Sequence, residues 1–384
     1  TDRSYAKKLL EGLSSTNFLK SKLGKPDRFI HSWTMPILNS PMFTLPSAYP
    51  VARNRPRRLL SSLACAAFFV ALATQVSAQW ATAVSDGAVH ASYAGEPQLS
   101  WQLETLDHPK GGAAFLPSAF LHPLQTPAGF QWTAALPSDH IHHLGVWWPW
   151  KHVRVDGKQY NCWELQKGHG AHHARRATFI DAGPDRLEWT FQNEIRIRKA
   201  GAASGPPVTD GISVIRETVH ARIARHGEDA NVIDLVIRQA PMGSPVTIGK
   251  YRYSGFAWRG PEAWDKTNSV LTTDRGLKRD KANGSKGRWV LVTGPGQGAA
   301  TVSVLIMSAA TDIAGTPERL RVWSAGIHNG TPFVNFNPVQ AAALPLDADH
   351  PAVSHRQYRI IAADRSLTTD DAEAEWQAWR GAAQ

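Results

Sequence analysis

The chain has 384 residues and a formal net charge of +10, from 42 Lys and Arg against 32 Asp and Glu. Residues 1–78 hold 11 of the basic and 3 of the acidic residues, whereas residues 79–384 hold 31 and 29 and are nearly balanced. A nucleic-acid-binding domain needs a concentrated basic face. This distribution therefore argues against a nucleic-acid partner.

The first segment with a recognisable pattern is a secretory signal peptide. Four arginines between positions 53 and 58 precede the apolar run 59–74, and residues 76–79 (VSAQ) place small side chains where signal peptidase cleaves. The apolar run is shorter than the roughly 20 residues of a membrane-spanning helix. We predict a signal peptide over residues 42–78, cleavage near Ala78, a periplasmic or secreted protein, and no membrane span after cleavage.

Residues 1–41 precede this signal peptide. Met42 stands at its natural start, so we expect residues 1–41 to be upstream sequence from a misassigned gene start, with no function. Residues 79–384 are long enough to bury a sizeable core, and no linker or change of composition divides them. Cys162 is their only cysteine, so no internal disulfide can form. We predict one domain over residues 79–384.

Strand signals dominate the predicted domain. The clearest is 186–198, where Leu187, Trp189 and Phe191 alternate with polar residues as in a half-buried antiparallel strand. Turn-forming clusters separate the runs, and residues 200–210 have the composition of a flexible hairpin tip. Further runs predict strands at 98–105, 177–180, 212–223, 231–238, 246–248, 288–292, 301–307, 320–323 and 355–362.

The last predicted element is a short C-terminal helix. Thr368 or Thr369 can cap its first turn, acidic residues follow, and an Ala-, Glu- and Trp-rich sequence continues to Arg380. Acidic side chains stabilise a helix N-terminus through its positive dipole end. Many strands without a βαβ rhythm predict an all-β fold, a large antiparallel β-sandwich with this helix at its end.

The stretch 122–164 concentrates polar chemistry and large aromatic side chains. A D-H-x-H-H motif at 139–143 is followed closely by three tryptophans and then by Glu164. If 139–146 is extended, two of the histidines point to one face and the third points to the other. Imidazoles exchange protons near neutral pH, and tryptophan faces stack on sugar rings. We expect Glu164 or Asp139 to orient a histidine or to be its acid/base partner.

The residue assignments follow from these side-chain properties. The predicted catalytic residues are His140, His142, His143 and Glu164. The predicted substrate-binding residues are His122, Trp147, Trp148, Trp150 and Arg252, the last because a guanidinium can hold a carboxylate or a hydroxyl-rich ligand. Arg259 is an alternative to Arg252 in that role.

Two histidines on one face also suggest a metal site. His140 and His142 would be its first ligands, and a divalent metal ion would then be the cofactor, although no strict metal-ligand spacing is matched. The candidates for further ligands are His122, His108, His328 and Glu217. A second histidine group, at 169–173, is interpreted as a solvated loop, and Cys162 as a small buried thiol.

The motif resembles a known family. The runs 122–129 (HPLQTPAG), 137–148 (PSDHIHHLGVWW), 163–164 (WE), 332–338 (PFVNFNP) and 358–360 (YRI) are similar to a secreted bacterial family labelled methane oxygenase PmoA. The resemblance implies a β-sandwich of the galactose-mutarotase type, a supersandwich whose relatives often act on carbohydrates with His and Glu or Asp as acid and base. The predicted domain has no spanning segment, so it is not the membrane subunit of methane monooxygenase that bears this label.

Three hypotheses remain open at this stage. The first is a carbohydrate-active enzyme, a hydrolase, lyase or epimerase that acts on a small-molecule or oligosaccharide substrate. The second is a metal-dependent enzyme, with oxidative chemistry included, that uses histidine ligands. The third is a glycan-binding module without catalytic activity, which would keep the tryptophans but need no titrating groups.

Overall fold

The computed structural model describes residues 79–199, 211–298, 300–310 and 314–382. The predicted signal peptide, the upstream residues 1–41 and the predicted hairpin tip at 200–210 lie outside the described residues. Within the described ranges, no helix is both long enough and apolar enough to cross a membrane.

The described residues form twenty β-strands. In chain order these are β1 (Trp80–Ser85), β2 (Ala88–Tyr93), β3 (Glu96–Gln102), β4 (Phe120–Leu124), β5 (Val146–Trp147), β6 (Val153–Val155), β7 (Lys158–Tyr160), β8 (Gly170–Ala182), β9 (Arg186–Ile197), β10 (Ile212–Arg225), β11 (Ala230–Pro241), β12 (Val246–Ile248), β13 (Phe256–Arg259), β14 (Val270–Thr273), β15 (Trp289–Pro295), β16 (Thr301–Ser308), β17 (Arg319–Val322), β18 (Phe333–Asn337), β19 (Leu344–Pro345) and β20 (His355–Ala363).

These strands form three sheets by antiparallel pairing. Sheet A has eight strands in the order β1-β2-β3-β4-β5-β13-β18-β17. Sheet B has eight strands in the order β14-β15-β16-β20-β11-β10-β9-β8, and sheet C has four in the order β19-β12-β6-β7. The long strands β9 and β10 pair from Ile197 with Ile212 to Arg186 with Ala224.

Sheets A and B enclose the main hydrophobic core. Trp101 of β3 stacks on Phe191 of β9 with ring centroids 3.8 Å apart and an interplanar angle of 3°. The alternation predicted for 186–198 is present, since Leu187, Trp189 and Phe191 are all buried. Because successive side chains in a strand point to opposite faces, each sheet keeps a second face away from this core.

The helices are short apart from the last one. They are α1 (Arg279–Ala282), α2 (Pro351–Ser354) and α3 (Thr369–Ala382), with 3₁₀ turns at Leu165–Lys167 and His328–Gly330. Thr368 caps α3, because its Oγ1 accepts from the Asp371 N–H at 3.1 Å and its own N–H donates to Asp371 Oδ2 at 2.8 Å. Ala372 and Trp379 of α3 pack on the outer face of sheet B.

The predicted fold class is confirmed: the protein is a mostly antiparallel β-sandwich with a C-terminal helix. Two local predictions are wrong. Residues 170–173, interpreted as part of a solvated loop, belong to β8, where His172 is buried. Residues 139–145 are not extended but run through two tight turns, at 138–139 and 141–142, before β5 begins.

Candidate functional site

The D-H-x-H-H motif forms a folded turn that places its three histidines side by side. The His140 N–H donates to the Pro137 carbonyl at 3.1 Å, and the His143 N–H donates to the His140 carbonyl at 2.9 Å. The ring centroid of His140 lies 5.5 Å from that of His142 and 4.8 Å from that of His143. The expectation that His143 points away from the other two is therefore wrong.

A glycine ends this turn for a steric reason. Gly145 has φ +75°, and a Cβ at this position would lie 2.4 Å from the Leu121 carbonyl oxygen on the neighbouring strand β4. Only glycine adopts this conformation at such close approach without strain. The chain leaves the turn at Gly145 and enters β5 between β4 and β13.

The histidines open into a pocket on the face of sheet A that points away from the main core. The pocket encloses about 600 Å³, part of it open to solvent. In β17, Leu320 and Val322 pack in the core while Arg321 between them reaches the pocket. The pocket is lined by His140, His142, His143, Trp163, Glu164, Arg252, Tyr253, Arg321, Trp323, His328 and Phe333.

Asp139 is the carboxylate that contacts a histidine. Its Oδ2 lies 3.2 Å from His140 Nδ1 and 3.9 Å from His328 Nδ1. The buried Arg259 donates from Nη2 to both oxygens of Asp139, at 3.1 and 3.0 Å. Burial raises the pKa of Asp139, but the Arg259 charge and hydrogen bonds outweigh it and leave this pKa below its usual value. Burial lowers the pKa of His140, and the contact with Asp139 partly offsets that effect.

His142 and His143 are more deeply buried than His140. The Gln166 side chain lies 3.3 Å from His142 Nδ1, and burial lowers the pKa of His142 to about 4. His143 stacks on Phe333 with centroids 4.9 Å apart, and burial holds its pKa well below the usual value. Both rings are therefore neutral at pH 7.

Within the described part of the chain, Glu164 forms no hydrogen bond or ion pair with a histidine, which corrects its predicted role as a histidine partner. Its carboxylate lies 2.8 Å from Lys151 Nζ and 2.5 Å from Lys167 Nζ. It also accepts hydrogen bonds from Asn161 at 2.9 Å and from the Tyr253 hydroxyl at 3.2 Å. Burial raises the pKa of Glu164, but these partners outweigh it and lower the pKa to about 2. This carboxylate is ionised at pH 7 and is a poor general acid.

Trp148 and Trp150 do not reach the pocket, so their assignment as stacking residues is wrong. Both are fully buried. Trp148 Nε1 donates to Glu217 Oε2 at 2.9 Å, and Trp150 Nε1 donates to Gln239 Oε1 at 2.8 Å. Trp147 lies under the histidines, 5.1 Å from the His143 ring, and is also buried.

Other aromatic side chains line the pocket instead. Trp163, Trp323, Tyr253 and Phe333 do so, and none of them was predicted. Trp163 and Tyr253 flank predicted residues in the sequence, whereas Trp323, just after β17, and Phe333, in β18, are distant in the chain. Burial and the Glu164 charge raise the pKa of Tyr253, so its hydroxyl keeps its proton.

The structure brings one of the four further metal-ligand candidates to the histidines. That residue is His328, whose ring centroid lies 4.4 Å from that of His140. His122 instead bonds Thr133 Oγ1 at 2.9 Å, and His108 lies against Phe115 at 5.9 Å. Glu217 is buried in the core.

The one set of three potential metal ligands found within the described ranges is Asp139, His140 and His328. Their ligand atoms all lie within 4.8 Å of one another. His142, predicted as the second ligand, is not part of this set. The Arg259 guanidinium already pairs with Asp139 and competes with a cation for this carboxylate. Arg252 lines the pocket as predicted for a ligand-binding arginine, whereas Arg259 lies behind it, 4.6 Å from the Trp323 ring centroid.

A narrow cleft adjoins the pocket. His142 and Trp163 line both spaces, and His172 of β8 and Cys162 line the cleft. Burial raises the pKa of the Cys162 thiol to about 12, so the thiol is not a nucleophile at pH 7.

Comparisons with known proteins show the family but not a function. No curated protein sequence matches the chain. The GalM/aldose epimerase homologue from C. elegans is similar in structure at 8% identity and a TM-score of 0.28, over 75% of this chain and 100% of that one. The methane-oxygenase designation stays a resemblance. A family model described as a family of unknown function (DUF6807) matches residues 88–377, and the chain belongs to that family.

Proposed function

We propose that the protein is a periplasmic or secreted carbohydrate-active enzyme, a hydrolase, lyase or epimerase, whose pocket histidines move protons on a bound sugar. The observation that carries this proposal is the pair of imidazoles His140 and His142, 5.5 Å apart in one pocket, with Asp139 fixing the first. A carboxylate behind an imidazole orients it and stabilises its protonated form.

The polar neighbours of the two histidines favour opposite roles. The Asp139 carboxylate, 3.2 Å from His140 Nδ1, favours a proton on that nitrogen, which leaves Nε2 with the lone pair of a general base. Gln166 donates its amide to His142 Nδ1, so the neutral His142 ring carries its proton on Nε2. The pocket thus offers one proton acceptor and one hydrogen-bond donor, as acid–base reactions at sugar oxygens or carbons require.

The rest of the pocket fits a polar ring better than an apolar ligand. Trp163 and Trp323 supply aromatic faces, and Tyr253 supplies a hydroxyl held by Glu164. Aromatic faces stack on the apolar side of a sugar, while fixed polar groups form hydrogen bonds with its hydroxyls. Glu164, ionised and held by two lysines, acts here as a fixed acceptor that positions its neighbours.

The test is an activity screen of the purified protein on monosaccharides, oligosaccharides and aryl glycosides. NMR detects anomer or epimer exchange, released aryl alcohol reports hydrolysis, and ultraviolet absorbance of unsaturated products reports elimination. We expect His140→Ala and His142→Ala each to lower the turnover found by roughly 10²- to 10⁴-fold. His355→Ala, at an exposed histidine of β20, is the matched control and should retain activity. Full turnover in His140→Ala, His142→Ala and Glu164→Ala would refute the proposal.

A metal-dependent enzyme is the second candidate, favoured by the set Asp139, His140 and His328. Two histidines and one carboxylate on a pocket wall are a ligand set used by several divalent metals. Elemental analysis of the untagged protein after incubation with zinc, iron, copper and manganese salts separates the candidates. One equivalent of metal that is lost in His328→Ala supports the metal enzyme, whereas acid–base catalysis by His140 and His142 does not need His328.

A further inference from the structure

Two arginines at the pocket have no carboxylate partner among the described residues. Arg252 and Arg321 both line it. Within the described ranges, neither guanidinium is within salt-bridge distance of an Asp or Glu. Their polar and aromatic neighbours are uncharged: Arg321 Nη1 donates to Asn283 Oδ1 at 3.0 Å, and the Arg252 guanidinium lies 5.6 Å from the Tyr253 ring centroid.

The acidic groups nearby do not balance these charges. Glu164 lines the pocket but already pairs with Lys151 and Lys167, and Asp139 pairs with Arg259. Burial lowers the pKa of Arg321, and the charge of Arg252 lowers it further, because the two like charges repel. The pocket lining therefore carries an excess of positive charge.

We propose that the sugar bound in this pocket carries a carboxylate, as a hexuronic acid or a uronate-containing oligosaccharide does, and that Arg252 and Arg321 bind this carboxylate. The inference rests on the proposed function, because it names the substrate class of the same site. A guanidinium presents a planar fork of donors that matches a carboxylate in two parallel hydrogen bonds. A carboxylate between the two arginines also relieves their mutual repulsion.

The backbone is hydrogen-bonded at both arginines. Gln340 Nε2 donates to the Arg252 carbonyl at 3.0 Å. Arg321 is held by its place in β17, where it pairs with Asn335 of β18. The Arg321 guanidinium is also oriented by its hydrogen bond to Asn283, and an oriented donor loses less conformational entropy when a ligand binds.

The test is calorimetric or NMR-monitored binding of glucuronate and galacturonate to the purified protein, beside glucose, galactose and inorganic sulfate. We expect the uronates to bind at least about tenfold more tightly than their neutral counterparts. Arg252→Gln and Arg321→Gln should each remove roughly tenfold to a hundredfold of uronate affinity and little neutral-sugar affinity. Arg321→Lys should restore part of the affinity as a point charge. Arg238→Gln, at an exposed arginine of β11 outside the pocket, is the control and should change nothing.

The outcomes separate this inference from the proposed function. Equal binding of acidic and neutral sugars, unaffected by either arginine variant, would overturn the uronate assignment and leave the sugar enzyme standing. Sulfate that binds as tightly as the uronates would also overturn the uronate assignment, because the arginines would then form a general anion site; the proposed function fails separately, on the turnover of the histidine variants. Uronate binding that weakens with rising salt in the wild type but not in Arg252→Gln/Arg321→Gln would support the assignment.

Discussion

The two halves of the stretch 139–150 lie in opposite environments, one at the pocket and one in the core. Residues 139–143 form a turn at the pocket and place three imidazoles around open space. A few positions later, Trp148 and Trp150 are fully buried and donate to Glu217 and Gln239 in the core. Side-chain types that suggest a site occur in both halves, and what separates them is whether a buried partner already satisfies the polar atom.

The division falls at Gly145. Its backbone passes so close to β4 that the chain can enter sheet A there, and alternation then sends Val146 to the main core and Trp147 beneath the histidines. The core half is thus held by packing and by hydrogen bonds to buried groups. The pocket half is held by backbone turns and leaves Nε2 of His140 and Nε2 of His142 for a ligand.

The largest expected effect is a difference in the free energy of unfolding between a variant in the core half and a variant in the pocket half. Trp148→Ala should lower the free energy of unfolding by about 3–5 kcal/mol, because it leaves a cavity in the core and removes one donor to the buried Glu217. His140→Ala should change it by less than about 1 kcal/mol, since this side chain lies at the pocket. Urea denaturation of both variants and the wild type measures the difference. Equal losses in both would show that the histidine turn is also part of the core.

A second expectation concerns the pH dependence of stability and uses His122, which bonds Thr133 and does not line the pocket. Burial lowers its pKa to about 4, below an unfolded value near 6.5. The unfolded chain therefore binds a proton before the native protein does, and stability falls as the pH drops from about 6.5 to 4, by roughly 3 kcal/mol at most. Denaturation midpoints measured across this range should drop less steeply in His122→Gln, and an unchanged slope in that variant would contradict the expectation.

Much of the fold could be predicted from the sequence, because the alternation of apolar and polar residues along a strand indicates which side chains are buried. The strand predicted at 186–198 is β9, and the one at 246–248 is β12. The start of β8 was missed because Gly170–Ala174 has no β-branched or aromatic residue, although sheet pairing with β9 makes it a strand. Pairing with β9 therefore outweighs the weak intrinsic strand propensity of this segment.

The sequence predicts where the site lies in the chain but not the full set of residues that line it. The D-H-x-H-H motif marks it, but His328, Arg321 and Trp323 reach it from strands and turns far along the chain. Glu164 was assigned as a carboxylate near the histidines in the sequence, and no local pattern shows that Lys151 and Lys167 neutralise it. Long-range pairing decides which charges remain free, and one sequence does not encode that in its local periodicity.

The smallest expected effect tests whether Asp139 acts through His140 in the pocket half. Asp139→Asn should lower turnover of the substrate by about tenfold, equivalent to about 1.4 kcal/mol of transition-state stabilisation. Asp139 raises the pKa of His140, so its loss should lower that pKa and move the acidic limb of the pH–rate profile to lower pH. A merely structural role would lower the rate without moving this limb. Thermal denaturation of Asp139→Asn must accompany the kinetics, because the variant leaves the buried Arg259 without its carboxylate, and an unmoved limb in a folded variant would mean that Asp139 only anchors Arg259.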